Sequence, residues 1–130
     1  MTLTAPTPAT HGYKAAVAAL NDDFRQCINR PTGHNRVRLT PAVSELIGDV
    51  REWPAYLRQK LMLREVMNYS DFSGGNDPYA EHDLGDFTWR EHRLTWTIDY
   101  YDLDLKWRSP NPADPAVTAR VMTIALAEEY

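Results

Sequence analysis

The amino-acid sequence predicts an α+β domain in which a small antiparallel β-meander of about three to four strands packs against three helices. Two observations lead to this prediction. Apolar residues recur at helical spacing in the first half of the chain, whereas large apolar and polar residues alternate with a period of two after residue 86. Helix-start signals then return near residue 114. This order of elements is typical of a sheet with its helices on one face.

Length and composition are those of one globular domain. The chain has 130 residues, of which 43% are apolar and 25% charged, and it contains one cysteine. We expect residues 1–12, which are rich in Thr, Pro and Ala, to form a flexible tail, and residues 13–130 to form a single domain. The N-terminus lacks the features of a signal peptide, and no apolar run approaches a membrane span. These features predict a soluble cytoplasmic protein without a disulfide framework.

The first helix is predicted from Tyr13 to Ile28. Spacings of four, four and three residues define its apolar stripe, which consists of Ala16, Leu20, Phe24 and Cys27. This stripe predicts that Cys27 is buried and inert. A short edge strand is expected at residues 37–39, followed by a short helix that Thr40 and Pro41 begin.

The next helix is expected to begin near Glu52 and to end near Tyr69, because Pro54 is tolerated in a first helical turn. Its inward face is predicted to include Leu57, Leu61 and either Val66 or Met67. Residues 70–78 contain the densest cluster of turn-forming side chains in the chain, and they predict a loop.

A β-hairpin follows this loop. On its first arm Phe87 and Trp89 share one face, and a turn is expected at Glu91 and His92. On its second arm the residues of one face are Leu94, Trp96, Ile98 and Tyr100. Residues 103–107 continue the alternation and predict a third strand or a bent extension of the second arm.

The last helix is predicted to begin at Asp114, a natural N-cap, with Pro115 in its first position. Helical spacing then gives an apolar face of Val117, Val121, Ile124 and Ala125.

Charge is distributed unevenly along the chain. The formal net charge is −4, yet residues 71–104 contain nine acidic residues and only Arg90 and Arg93, a balance of −7. Residues 1–70 have a balance of +3. A general nucleic-acid-binding protein is usually basic, so this charge argues against DNA or RNA as the main ligand. It favours a protein partner with a basic surface.

Seven polar residues in the acidic region form the candidate functional site. They are Asp77, Glu81, His82, Asp83, Asp99, Asp102 and Asp104. In a functional interpretation, His82 is a general base or metal ligand, and Asp83 or Asp99 orients its ring or shares a divalent cation. In a structural interpretation, Asp77, Asp83 and Asp99 cap turns and His82 is held by hydrogen bonds. No established metal, phosphate-binding or nucleophile motif is present, so no cofactor and no catalytic residue are assigned.

Four motifs make the chain resemble a known group of proteins. They are NDPYAEHDLG at 76–85, WTIDYYD at 96–102, SPNPADP at 109–115 and VMTIALAEEY at 121–130. Through them, residues 13–130 resemble a family of small bacterial proteins classed only as a domain of unknown function, whose members are frequently found on plasmids and other mobile elements. Tyr79 and Ala80 stand where that family has His-Gly, which weakens a metal-binding hypothesis. The resemblance implies a bacterial cytoplasmic accessory protein of a mobile element.

The leading functional hypothesis is a non-enzymatic protein-binding module or inhibitor that acts through an acidic surface. One form of it is a DNA-mimicking inhibitor that helps a mobile element to survive host defences. The alternative is a hydrolase or metal-dependent enzyme centred on His82, Asp83 and Asp99. A third class is a small nucleic-acid-binding regulator. It would use the basic residues on or beside the helix predicted between Glu52 and Tyr69, namely Arg51, Arg58, Lys60 and Arg64.

Overall fold

The computed structural model describes residues 5–8, 11–73, 75 and 77–130, and its fold is α+β, as predicted. The elements are α1 (Tyr13–Gln26), β1 (Arg36–Leu39), α2 (Pro41–Ile47), α3 (Trp53–Met67), β2 (Leu84–Trp89), β3 (His92–Tyr101) and β4 (Ala119–Leu126). Two 3₁₀ turns, Pro115–Val117 and Ala127–Glu129, flank β4. The predicted tail includes residues 1–4 and 9–10, which lie outside the described residues.

The four strands form one mixed sheet in the order β1-β4-β3-β2. β2 and β3 form the predicted antiparallel hairpin, in which Gly85 is in register with Trp96. β4 runs antiparallel to β3, whereas β1 runs parallel to β4, so the sheet extends beyond a pure antiparallel meander. Among the described residues, no helix has both the length and the apolar content needed to cross a membrane.

One face of the sheet packs against the three helices and forms the core. The alternation predicted for the second arm of the hairpin is confirmed, because its four apolar residues are all buried. The core combines them with residues from all three helices and β4, including Val17, Phe24, Val43, Ile47, Met62, Val66, Met122 and Ile124. None of α1, α2 and α3 covers the opposite face, which we call the open face and which includes Arg38, Thr97 and Thr123.

The predicted C-terminal helix is wrong. Asp114 does cap a 3₁₀ turn by accepting a hydrogen bond from the Ala116 N–H at 3.0 Å, but residues 119–126 form β4 in the middle of the sheet. Arg120, Met122 and Ile124 are buried on the core face of β4, and the small residues Ala119 and Ala125 are buried on its open face, so the buried positions fit a helical period as well as an alternating one. Hydrogen bonding to β1 on one side and to β3 on the other makes this segment a strand and not a helix.

Residues 103–107 form neither the predicted third strand nor a bent extension of β3. The Asp102 N–H donates to the Trp107 carbonyl at 2.7 Å, and its Oδ1 accepts from the Lys106 N–H at 3.0 Å. These bonds fold the chain into a turn, and the Trp107 side chain is 75% exposed. The alternation of Leu103, Leu105 and Trp107 therefore reflects a turn and not a strand.

Two helix faces differ from the prediction. Cys27 follows the end of α1 and is exposed, because the buried face of this helix contains Val17, Asn21, Phe24 and Arg25 instead. On α3, Val66 is buried as predicted, whereas the Leu57 and Leu61 side chains are 41% and 44% exposed. The buried face of α1 includes the polar residues Asn21 and Arg25, so it differs from the face that the apolar stripe predicts.

The hairpin turn provides a direct test of local backbone strain. The turn lies at Arg90 and Glu91, one residue before the predicted Glu91 and His92, because His92 already belongs to β3. Arg90 and Glu91 have φ angles of 49° and 72°, a conformation that glycine and asparagine adopt at lower cost. We expect Glu91→Gly to stabilise the fold by about 1 kcal/mol and to raise Tm by roughly 4 °C. Glu91→Ala, which removes the carboxylate but keeps Cβ, should give no stabilisation. Thermal unfolding followed by circular dichroism measures both, and an equal gain from Ala would contradict the strain argument.

Candidate functional site

Residues 77–83 form a loop that lies against β3 and contains four of the seven candidate residues: Asp77, Glu81, His82 and Asp83. β2 begins at Leu84, which is in register with Thr97, and the Ile98 N–H then donates to the Asp83 carbonyl at 2.8 Å. The loop therefore continues alongside β3 where β2 has ended. This placement brings the loop carboxylates next to the C-terminal part of β3.

A buried polar network joins this loop to α1 and β4. Asn21 donates through its amide nitrogen to the Tyr100 hydroxyl at 2.8 Å and to the Glu81 carbonyl at 2.9 Å. Tyr100 in turn donates to the Glu81 carboxylate at 2.9 Å. Arg120 donates to the side-chain Oδ1 of Asn21 at 2.8 Å and to the backbone carbonyl of Pro112. Four distant parts of the chain are thus held together by polar contacts.

Burial determines the electrostatics of this network. Arg120 is 1% exposed, and burial lowers the pKa of its guanidinium while the nearby Tyr100, Tyr13 and Glu81 act in the opposite direction. Burial also raises the pKa of Tyr100, so its hydroxyl stays protonated and donates to Glu81. Among the described residues, Arg120 has no carboxylate at ion-pair distance, and Asn21 and Tyr100 link it to Glu81 instead. The network positions α1 on the sheet.

His82 lies between two carboxylates. Its Nδ1 is 2.9 Å from Asp22 Oδ1, and its Nε2 is 3.6 Å from Asp77 Oδ2. Asp77 also accepts a hydrogen bond from the His82 backbone N–H at 3.1 Å. The imidazole ring stacks on Phe72 at a centroid distance of 4.0 Å and an angle of 8°. Both ring nitrogens therefore face carboxylates.

We call His82 and the residues around its ring, Asp22, Phe72 and Asp77, the His82 cluster. Arg25 joins this cluster to the core. Its Nη1 donates to Asp22 Oδ1 at 2.8 Å, and its guanidinium lies 5.0 Å from the Phe72 ring centroid and 5.7 Å from the Trp96 ring centroid. Arg25 thus compensates the charge of the same carboxylate that holds His82. The Asp22–His82 pair is supported from α1, the loop and β3.

A separate acidic groove lies beside the His82 cluster and has a volume of about 300 Å³. Its walls comprise Tyr79, Glu81, Asp83, Ile98, Asp99, Tyr100 and Arg108. Tyr79 is 62% exposed at its rim, and the Arg108 guanidinium lies 5.9 Å from the Tyr100 ring centroid. We call this feature the acidic groove, because three of its lining side chains are carboxylates.

Asp83 is the least satisfied group in the acidic groove. Its Oδ1 is buried and has no hydrogen-bond partner among the described residues. Burial raises the pKa of the Asp83 carboxyl, a hydrogen bond from its own backbone N–H acts in the opposite direction, and the charges of Glu81, Asp77 and Asp99 raise the pKa further. Burial of an unpaired oxygen beside three other carboxylates costs free energy, so the fold tolerates the charged form of this half-buried residue at a loss of stability.

The structure distributes the seven candidate residues over four environments. Asp77 and His82 belong to the His82 cluster, Asp83 and Asp99 line the acidic groove, and Glu81 contacts both the network and the groove. The remaining two, Asp102 and Asp104, lie in the turn after β3. His82 does not line the acidic groove, so the proposed grouping of His82, Asp83 and Asp99 is divided between two places. Within the described part of the chain, no three His, Cys, Asp or Glu side chains are arranged to hold a metal ion.

Comparison with known proteins assigns the chain to a family. The family described as "Protein of unknown function (DUF3768)" matches residues 39–129. The chain belongs to this family. The match includes the loop, the hairpin and β4, and thus most of the candidate site, whereas α1 precedes it. No curated protein and no solved structure matches the chain.

Sequence reasoning missed the residues that connect this family region to α1. Asn21 and Arg120 are fully buried, and Asp22 holds His82, yet none of them belongs to the predicted site. One sequence signal was available for α1. Val17, Asn21, Phe24 and Ile28 follow the spacing of four, three and four residues, which places a polar amide within an apolar stripe. A polar residue at such a position requires hydrogen-bond partners elsewhere in the fold.

The raised pKa of Asp83 predicts how stability depends on pH. The folded state binds this proton more tightly than the unfolded state, so the stabilisation is present below the unfolded pKa of 3.8 and is lost as pH rises through the folded value. We therefore expect Asp83→Asn to be more stable than the wild type at pH 7, with a difference that shrinks as pH falls toward 3.8. Urea unfolding across this range measures it.

Asp77→Asn is the matched control for Asp83→Asn. It removes the same charge from a carboxylate that faces His82 and accepts its backbone N–H. We expect no stabilisation from this control at pH 7. A wild type as stable as Asp83→Asn at pH 7 would contradict the assignment of Asp83 as an unsatisfied carboxylate.

Proposed function

We propose that this chain is a non-enzymatic binding module that engages a protein partner with a basic surface through the acidic groove. Its partner would insert a Lys or Arg side chain between Asp83 and Asp99, with Tyr79 at the rim. In this proposal the protein is a bacterial cytoplasmic accessory protein of a mobile element, and it acts as an inhibitor of a host function such as defence. The resemblance to a family frequently found on plasmids supports that context.

The observation that best supports the proposal is the convergence of three carboxylates, Glu81, Asp83 and Asp99, in the acidic groove. A cationic side chain from a partner would offset the repulsion among these carboxylates. A group that costs stability in the free protein and gains a partner in a complex is typical of binding sites. Tyr79 offers exposed aromatic surface of the kind enriched at protein interfaces.

A pull-down with quantitative mass spectrometry tests the proposal. Tagged wild-type protein, Asp83→Asn/Asp99→Asn and the control Glu45→Gln/Glu65→Gln are incubated with a bacterial lysate at about 50 mM and about 300 mM salt. Both double variants change the net charge from −4 to −2, but Glu45 and Glu65 are exposed on α2 and α3, away from the groove. We expect one protein or a small set to be retained by the wild type and the control, and lost with the groove variant.

The two double variants separate capture by the groove from simple charge attraction, and the salt series tests whether the capture is electrostatic. We expect retention to fall at the higher salt concentration, because the groove acts through charge. A protein retained equally by the wild type and the groove variant, or one lost equally with both double variants, would overturn the assignment to the groove. Retention that is the same at both salt concentrations would overturn its electrostatic basis.

A second candidate function, acid–base or metal-dependent hydrolysis, is favoured by one observation. The pKa of Asp83 is raised by burial, which is the direction that a general acid requires, and Asp99 lines the same groove. Calorimetric titration with Mg²⁺, Mn²⁺, Ca²⁺ and Zn²⁺ tests its metal-dependent form. Saturable heat that disappears in Asp83→Asn/Asp99→Asn would support this candidate, whereas no heat from any of the four ions would contradict it.

A further inference from the structure

The open face of the sheet presents two arginines side by side on β1. Arg36 is in register with Val121 and Arg38 with Thr123, so both project to the same side of the strand, with Cα atoms about 7 Å apart. Both residues are exposed. Within residues 5–8, 11–73, 75 and 77–130, neither guanidinium forms an ion pair or a hydrogen bond. Two positive charges are therefore available to a ligand.

These arginines line a cavity of about 350 Å³. The other lining residues are Val37, Tyr101, Leu105, Val121 and Thr123. This volume lies within the range of small-molecule sites, roughly 300–1,000 Å³. The cavity combines cationic groups on one side with a half-buried aromatic ring and an aliphatic side chain on the other. This combination fits a ligand that has both an anionic and a planar apolar part.

Backbone strain occurs in the wall of the same cavity. Leu105 has a φ angle of 60°, in the left-handed region that a bulky residue rarely adopts. Its N–H donates to the Asp102 carbonyl at 3.0 Å, and the bridge between Tyr101 and Arg108 closes the turn around it. The turn thus holds Leu105 beside Tyr101 at an energetic cost. Strained residues of this kind are concentrated at ligand sites.

We propose that this cavity binds a nucleoside monophosphate. Arg36 and Arg38 would donate hydrogen bonds to the phosphate oxygens, since a guanidinium matches phosphate geometry. The base would lie against the Tyr101 ring, and Leu105 would cover its other edge. Thr123 would offer a hydroxyl near the sugar. The cavity shares no lining residue with the acidic groove. The proposal therefore gives the protein a second ligand, in addition to the proposed protein partner.

Charge on the open face limits how far such a ligand extends. Asp99 pairs with Val121 in the sheet register, so it lies in the same row as Arg36, two strands or about 10 Å away. A single phosphate between the arginines is clear of this carboxylate. A nucleic-acid strand that continued across the sheet would place further phosphates near Asp99, and the charge of −4 opposes it as well. These observations favour a mononucleotide over a polymer.

Isothermal titration at low salt tests the proposal with defined probes. The ligands are AMP, GMP, CMP and UMP, together with adenosine, inorganic phosphate and an eight-residue oligothymidylate. We expect saturable binding of at least one mononucleotide, and at least tenfold weaker binding of adenosine and of phosphate. Arg36→Gln/Arg38→Gln should lose at least tenfold in mononucleotide affinity. The control Arg30→Gln/Arg64→Gln, with the same change in charge at exposed positions away from the cavity, should bind as the wild type does.

Tyr101→Leu separates base recognition from phosphate recognition. We expect it to weaken mononucleotide binding while leaving the affinity for inorganic phosphate unchanged, and thermal unfolding identifies a variant that fails to fold. No heat from any mononucleotide at millimolar concentration would overturn the proposal. If the control Arg30→Gln/Arg64→Gln weakens mononucleotide binding as much as Arg36→Gln/Arg38→Gln does, the assignment of binding to this cavity is overturned. If only the oligothymidylate binds, and its binding depends on Arg36 and Arg38, the mononucleotide proposal is overturned in favour of a single-stranded nucleic acid.

Discussion

Arg120→Met is expected to lower the free energy of unfolding by about 3 kcal/mol and Tm by roughly 10 °C. Arg120 is 1% exposed and donates to the Asn21 side chain and the Pro112 carbonyl. Methionine has a similar length but no donor, so both acceptors would be left buried without partners. Each such orphaned group costs about 1–3 kcal/mol. Urea unfolding measures the loss.

Two further variants show whether the loss arises from the network. Arg38→Met removes the same functional group from an exposed position on β1 and should change stability by less than about 0.5 kcal/mol. In a double-mutant cycle with Asn21→Leu, the combined loss should be smaller than the sum of the two single losses, because each single change leaves the other group unpaired. Strictly additive losses would show that Arg120 and Asn21 act independently.

Gly85→Ala is expected to destabilise the fold by about 2–3 kcal/mol through overpacking. A Cβ atom at this position would lie 2.6 Å from Trp96 Nε1 and 2.6 Å from Tyr69 Cζ. Both rings belong to the core face, where Tyr69 meets Trp96 edge-on at a centroid distance of 5.5 Å. Neither ring has room to move without displacing its neighbours in a close-packed core.

Gly75→Ala is the matched control for this change, because a Cβ there meets nothing within 4 Å. We expect the control to leave the midpoint of thermal unfolding within about 2 °C of the wild type. Near-ultraviolet circular dichroism adds a specific readout, since Gly85→Ala should alter the signal of the buried Trp96 and the control should not. An unchanged midpoint for Gly85→Ala would contradict the close packing of β2 against these rings.

The parts of the fold that were predicted correctly depend on local pattern. Alternation through Leu94, Trp96, Ile98 and Tyr100 describes an arm with one buried and one open face, and the structure confirms it. Thr40 and Pro41 begin α2 as predicted, with the Thr40 hydroxyl accepting from the Val43 N–H at 3.4 Å. In both cases the signal is local: the order of apolar and polar residues along one strand, and a capping residue three positions before its donor.

The candidate site was predicted only in part, because its partners come from distant segments. The carboxylates of residues 77–83 and 99 do gather near the end of β3, although their spacing alone does not show that they meet. His82 is held by Asp22, which lies 60 residues earlier in the chain. Such a pairing has no signature in local spacing.

The sequence by itself determined the α+β class, the hairpin, the N-terminal ends of the helices and the acidic character of residues 71–104. Only the tertiary structure decided that residues 119–126 are a strand, which face of α1 is buried, and that His82 and Asp83 have different surroundings. The physical reason is the same in each case. A central strand and a buried polar residue obtain their stability from hydrogen bonds to distant segments, and those bonds override local propensity.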